Sequence, residues 1–214
     1  MRERFTTELH RLEEHTLACL PRATDALEHA LDALLSADRA GAGRSVAEID
    51  QLERHVIELE SELLAFLALQ QPVAGDLRLV AALVEVLGHA RRIAHQCMSI
   101  AKLVTLSGPD PSVDEDCVAC LRRMGAVARE LVLHAQTGFA ERRPGLSAEL
   151  ERRDDALDRH NRDCFRIALR ISADRSIREW AMSMMLAARA LERVGDNAVD
   201  VARLTPEAVG VTAA

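Results

Sequence analysis

An internal repeat constrains this chain more than any other feature. Asp50-Gln51-Leu52-Glu53-Arg54-His55 is answered 105 positions later by Asp155-Ala156-Leu157-Asp158-Arg159-His160. A second pair of blocks follows in the same order: Arg91 to Lys102, then Glu192 to Arg203, 101 positions apart. Two blocks recurring in one order indicate duplication of a single structural unit. Whatever the first half folds into, the second half must be a version of it.

Composition selects the kind of unit. Hydrophobic residues make up 49% of the 214, but aromatics only 2%, and tyrosine is absent. A chain rich in Ala, Leu, Arg and Glu suits long packed helices and suits a sheet poorly. Apolar periodicity and breakers mark six helices. The first spans about 7–38, with Pro21 predicting a kink or a local break. Gly41-Ala42-Gly43 then separates it from a second helix at about 45–70, striped by Ile49, Leu52, Val56, Leu59, Leu63 and Phe66. Pro72 opens the turn into a third helix ending near 104. After the connector Ser107-Gly108-Pro109-Asp110-Pro111, helices are expected at about 114–141, 147–171 and 175–204. The expected fold is all-α: two tandem three-helix bundles related by a pseudo-twofold axis. The first bundle covers 1–106, a linker 107–113, the second bundle 114–205 and a tail 206–214.

Several function classes are disfavoured. A formal charge of −7 speaks against a broad nucleic-acid surface. The densest apolar run, Leu63 to Leu69, is too short to span a bilayer, and the charged start Met1-Arg2-Glu3-Arg4 is unlike a signal core. Five scattered cysteines in helical context point to reduced thiols and a cytoplasmic location. Cys117-Val118-Ala119-Cys120 is formally a CxxC, but no second ligand pair follows it and no strand precedes it. Half-buried helix positions account for it better. No Gly-rich phosphate loop, GxSxG elbow or HExxH helix is present, so no enzyme is expected.

The chemistry concentrates on the last helix, where Glu192, Asp196 and Asp200 follow one another at i, i+4 and share a face. Two readings compete. Opposite the stripe Ala187, Leu191, Val194, Ala198 and Val201, three acids can simply be a solvated face with Arg189, Arg193 and Arg203 as surface partners. Alternatively, like charges at this spacing repel, and a divalent cation removes the penalty. Asp154, Asp155 and Asp158 on the preceding helix would add carboxylates. A nearly His-free oxygen site favours Mg²⁺, Mn²⁺ or iron over zinc. In the first copy the matching positions are Arg91, His95 and Ser99; His95 could still ligate, but Arg91 would repel a cation. His55 and His160 recur at matched positions, which suggests a structural role, such as a helix-to-helix hydrogen bond, as much as a functional one. Glu85 and His89 lie one turn apart, a spacing common by chance.

These residues resemble the PhoU family of phosphate-transport regulatory proteins. Pro72-Val73-Ala74-Gly75-Asp76-Leu77-Arg78 is similar to the family's turn, Glu192-Arg193-Val194-Gly195-Asp196 to its acidic motif, and Asp154 to Asp158 to its preceding acidic block. The resemblance implies a cytoplasmic, often dimeric two-bundle protein. It implies repression of the phosphate-starvation response through a phosphate ABC transporter and a sensor histidine kinase, touching membranes only through those partners. Some members of the family hold metal clusters on the acidic motifs, one per repeat. Because the first half departs from the motif, one site is expected, on Glu192, Asp196 and Asp200 with help from Asp155, and a lost or altered one near His95. The alternative in another class is a metal-dependent hydrolase or metal-binding bundle using the same acid face.

Overall fold

The computed structural model describes residues 2–107 and 113–205. They form six helices: α1 (Arg2–Leu35), α2 (Arg39–Gln70), α3 (Ala74–Leu106), α4 (Glu115–Ala140), α5 (Leu146–Ile171) and α6 (Arg178–Arg203). No strand occurs among the described residues. The connector at 108–112 and the tail from 206 lie outside them.

Within each half the three helices pack on one another, α1 with α2 and α3, α4 with α5 and α6. The halves join through α1 on α4 and α3 on α6. Each joint pairs equivalent helices of the two repeats, which is what a pseudo-twofold relation requires. Helices α2 and α5 lie outermost. The stripe predicted on α2 is buried, from Ile49 and Leu52 to Leu63 and Phe66. Side chains of this size each contribute roughly 1.5–3 kcal/mol on leaving water. At the α1–α4 joint a Cβ on Gly125 would sit 2.5 Å from Leu31 Cδ2, so this glycine lets the two helices approach closely.

One expectation is narrowed and one needs correction. Helix α1 runs unbroken through Pro21, so of the kink or local break expected there the break does not occur. The proline lacks an N–H for the Leu17 carbonyl, but Leu17, Leu20 and Leu27 are buried on both sides of it and hold the helix in place. Thr24 also donates a 2.7 Å hydrogen bond to the Pro21 carbonyl. Gly41 and Gly43 are not a separator: α2 already begins at Arg39, and the break falls at Ala37, whose φ is 53°. Burial of Ala42 and Ser45 outweighs the poor helix propensity of the glycines.

Candidate functional site

Four of the six acids singled out in the second repeat, Asp154, Asp155, Asp196 and Asp200, line a groove between α5 and α6, while Glu192 and Asp158 lie outside its lining. Two contacts fix the antiparallel register of these helices. Arg203 Nη2 donates to Glu151 Oε1 at 2.9 Å near one end. Further along, Asp154 faces Gly195, where any Cβ would collide with the Asp154 carboxylate and come within 2.5 Å of Leu157 Cδ2. Gly195 is therefore the residue that admits a carboxylate between the two helices. Glu151, Asp154, Asp155, Asp196, Val199, Asp200 and Arg203 line a groove of about 410 Å³ there.

Burial separates these acids. Glu192 is only 8% exposed, so the fully solvated reading of this face fails at that residue. Its Oε1 accepts a hydrogen bond from Arg189, while its Oε2 is buried without a partner. Asp154 Oδ1 is also buried and unpartnered. Burial, followed by the charges of Asp196, Asp158, Glu192 and Asp155, pushes the Asp154 carboxyl up to about 7. Burial and Asp196 raise Glu192 as well, with Arg189 opposing them. Asp196 is raised by burial first, against Arg189. Asp200 accepts from Arg203 Nη1 at 2.8 Å. Asp155 is exposed on the rim, so the acid turned toward α6 is its neighbour Asp154.

Each orphaned carboxylate oxygen calls for a proton or a hard cation, and an all-oxygen donor set suits Mg²⁺, Mn²⁺ or iron. The ligand set is not assembled, however. Among the described residues no three His, Cys, Asp or Glu side chains are gathered to hold a metal, since Arg189 and Arg203 engage Glu192 and Asp200. The donors fit such an ion in chemistry, and side-chain rotation would have to gather them.

The first repeat answers the same geometry differently. His95, at the position of Asp196, lies 3.1 Å from Glu53, the counterpart of Asp158. Arg91, at the position of Glu192, pairs with Glu60 at 3.3 Å. Here the α3 positions carry the countercharge that the α6 positions lack. Ile49 and Ala94 stand where the second repeat has Asp154 and Gly195, so no carboxylate is drawn between the helices.

Other residues depart from expectation. His55 pairs with Glu58 at 3.8 Å on its own helix rather than bridging two helices. His89 leaves Glu85 aside and hydrogen-bonds across the joint between the bundles, its Nδ1 2.9 Å from Asn197 Oδ1. Cys117 and Cys120 are fully rather than half buried, and Cys164 of α5 meets both. The hydrogen bond with Cys117, reinforced by burial, pushes the Cys164 thiol up to about 12, which makes it unreactive. A third thiol 44 positions away gave no signal in the sequence.

Comparison with known proteins decides the lineage. The model of the PhoU domain matches residues 21–104 and again 121–205, one match per bundle. The chain belongs to the PhoU family. It is 30% identical to the phosphate-specific transport system accessory protein PhoU homolog 2 of Mycobacterium tuberculosis over 209 residues, 95% of each chain. The PhoU homolog of Pseudomonas aeruginosa is 27% identical, over 94% of this chain and 84% of that one. The crystal structure of PhoU from Pseudomonas aeruginosa superposes with a TM-score of 0.84 at 26% identity, covering 97% of this chain and all of the other. The regulatory protein PhoU of Streptococcus pneumoniae shares the fold, with a TM-score of 0.85 at 20% identity. No described helix is long and apolar enough to cross a membrane.

Proposed function

We propose that this chain is a non-enzymatic regulator of phosphate uptake and phosphate-starvation signalling, working in the cytoplasm by contact with a phosphate ABC transporter and a sensor histidine kinase. Nearly complete coverage by phosphate-transport accessory proteins of the same fold carries this reading. A six-helix scaffold presents long helix faces, the kind of surface on which protein contacts are built. The α5–α6 groove takes a divalent cation, Mg²⁺, Mn²⁺ or Fe²⁺, on Glu192, Asp196 and Asp154, with Asp155 and Asp200 at the rim. Bound there, the ion would neutralise the carboxylates and stiffen the outer face of the second bundle. His95 and Arg91 fill the matching positions of the first bundle with protein cations, so the first bundle takes none.

The alternative of a metal-dependent hydrolase draws no support from the groove, whose lining consists of carboxylates, Val199 and Arg203. Deleting the gene is expected to raise phosphate uptake and phosphate-starvation gene expression in phosphate-rich medium. Unchanged uptake and expression in that strain would contradict the regulatory role.

A further inference from the structure

The outer face of α5 and α6 changes character beyond the acid groove. On α5, Arg162, Phe165, Arg166 and Leu169 follow one another at i, i+3, i+4 and i+7 and share a face. On α6, Arg178, Met182, Leu186, Arg189 and Arg193 form a second stripe at spacings of three and four. All nine are exposed, the four apolar ones by 50% to 61%. The register fixed by Glu151–Arg203 and Asp154–Gly195 sets Phe165 level with Leu186, Leu169 level with Met182 and Arg162 level with Arg189. The four apolar side chains therefore make one patch, two helices wide, with arginines on its flank and at both ends.

This patch is basic within an acidic protein. Between Arg159 and Arg193 stand eight arginines and four acids, a balance of +4 in a chain of −7. The matched stretch of the first repeat, 54–92, has four arginines and five acids, and Glu60 and Glu85 occupy the places of Phe165 and Leu186. Three of the four acids near the patch are engaged. Asp163 pairs with Arg166, Glu192 is buried against Arg189, and Asp174 accepts from Ser176 in the turn before α6. Glu179 is exposed. Arg162, and Arg175 in that turn, have neither a hydrogen bond nor an ion pair among the described residues. Arg193 marks the boundary, because Asp196 and the acid groove begin within one turn of it.

We propose that this face docks directly on the surface of an anionic lipid bilayer. Phe165, Leu169, Met182 and Leu186 enter the boundary between headgroups and acyl chains. The arginines spread sideways to the lipid phosphates, which a guanidinium holds through two parallel hydrogen bonds. Two features select a bilayer over an acidic helix of a protein. Arginines lie on the outer side of α5 and at both ends of the apolar pair on α6, so a single helix about 10 Å wide laid over the patch leaves some of them uncovered. An apolar centre ringed by one sign of charge also reproduces the order of a bilayer, an anionic layer first and an apolar phase beneath it. The negative charge of the whole chain weighs little, because surface attraction fades within a Debye length of about 8 Å at physiological salt. Asp196 lies about 20 Å from Met182 along α6 at 1.5 Å per residue, so it clears that range when the first turns of α6 tilt toward the membrane. The contact needs no partner protein and stands independently of the regulatory reading.

Flotation of the intact chain with two kinds of vesicle, phosphatidylcholine alone and phosphatidylcholine mixed with phosphatidylserine, tests it. Binding is expected with the mixed vesicles only, and is expected to weaken as salt is raised. It is expected to fall at least about tenfold in L169E/M182E and in R162Q/R175Q. It is expected to stay unchanged in L64E, whose site is the exposed first-repeat position matched to Leu169. Far-UV circular dichroism identical to the parent confirms that each variant is folded. The proposal is overturned if the parent leaves the mixed vesicles unbound, if it binds both kinds equally, or if L169E/M182E binds as the parent does. It is also overturned if that variant converts a dimer to a monomer in sedimentation, since a second copy then covers the face. A parent that ignores vesicles but selects acidic helical peptides from a displayed library, where L169E/M182E selects none, would assign the face to a protein helix instead. Derepressed uptake on gene deletion without vesicle binding sinks this face alone, and vesicle binding with unchanged uptake sinks the regulatory role alone.

Discussion

A carboxyl group held up to about 7, as that of Asp154 is, ties stability to pH in a defined direction. Its folded value lies above the unfolded 3.8, so the folded chain holds the proton more tightly. The stabilisation carried by protonated Asp154 is complete below the unfolded value and is lost as pH rises through about 7. D154N is therefore expected to raise stability at pH 8 by roughly 1–2 kcal/mol, allowing for solvent screening, and to change it little at pH 3.5. Urea unfolding at both pH values checks this. Equal effects at the two would show that the buried carboxylate is no burden. Sequence spacing located the acids but could not say which one turns inward. Asp154 and Asp155 are adjacent, and only the rotation of α5 against Gly195 separates them.

Among the elements, α6 carries most of the information and meets α3, α4 and α5. At Gly195 it approaches α5 closely. G195A is expected to cost about 1–3 kcal/mol, the usual range for overpacking, because Leu157 and the Asp154 carboxylate must both give way. The urea midpoint reads this directly; an unchanged midpoint would mean that α5 yields without cost. Where α6 meets α3, N197A leaves the His89 ring without its 2.9 Å partner inside the joint. It is expected to cost about 1–3 kcal/mol, the penalty for an unsatisfied buried polar group. A loss no larger than that of a surface alanine variant, measured the same way, would show that the bond is dispensable. The helices themselves were legible because apolar period and helix length are local properties. The absent break at Pro21 and the misplaced one at Gly41 share one cause: burial on both sides overrides a local breaker, and burial is not local. For the same reason the bond between His89 and Asn197, 108 positions apart, had no signature.

At the scale of the molecule, duplication explains both what the halves share and where they differ. Each repeat builds the same trio of helices and places the same slots opposite one another. In the first, Arg91 and His95 face Glu60 and Glu53 and settle the charge internally. In the second, the slot of Glu60 holds Phe165, and Glu192 and Asp196 lie near the like charges of Asp154 and Asp158, so the charge stays unsettled. The sequence revealed this asymmetry at the α3 and α6 positions. It left unread the partners Glu53 and Glu60, because those pairings depend on how α2 lies against α3. The most direct test is the metal content of protein purified without chelator, comparing the parent chain, E192A/D196A in the second repeat and E53A/E60A in the first. The expected result is a divalent metal in the parent and in E53A/E60A and its loss from E192A/D196A. Equal metal in all three, or none in the parent after Mg²⁺, Mn²⁺ and Fe²⁺ have each been supplied, would contradict it.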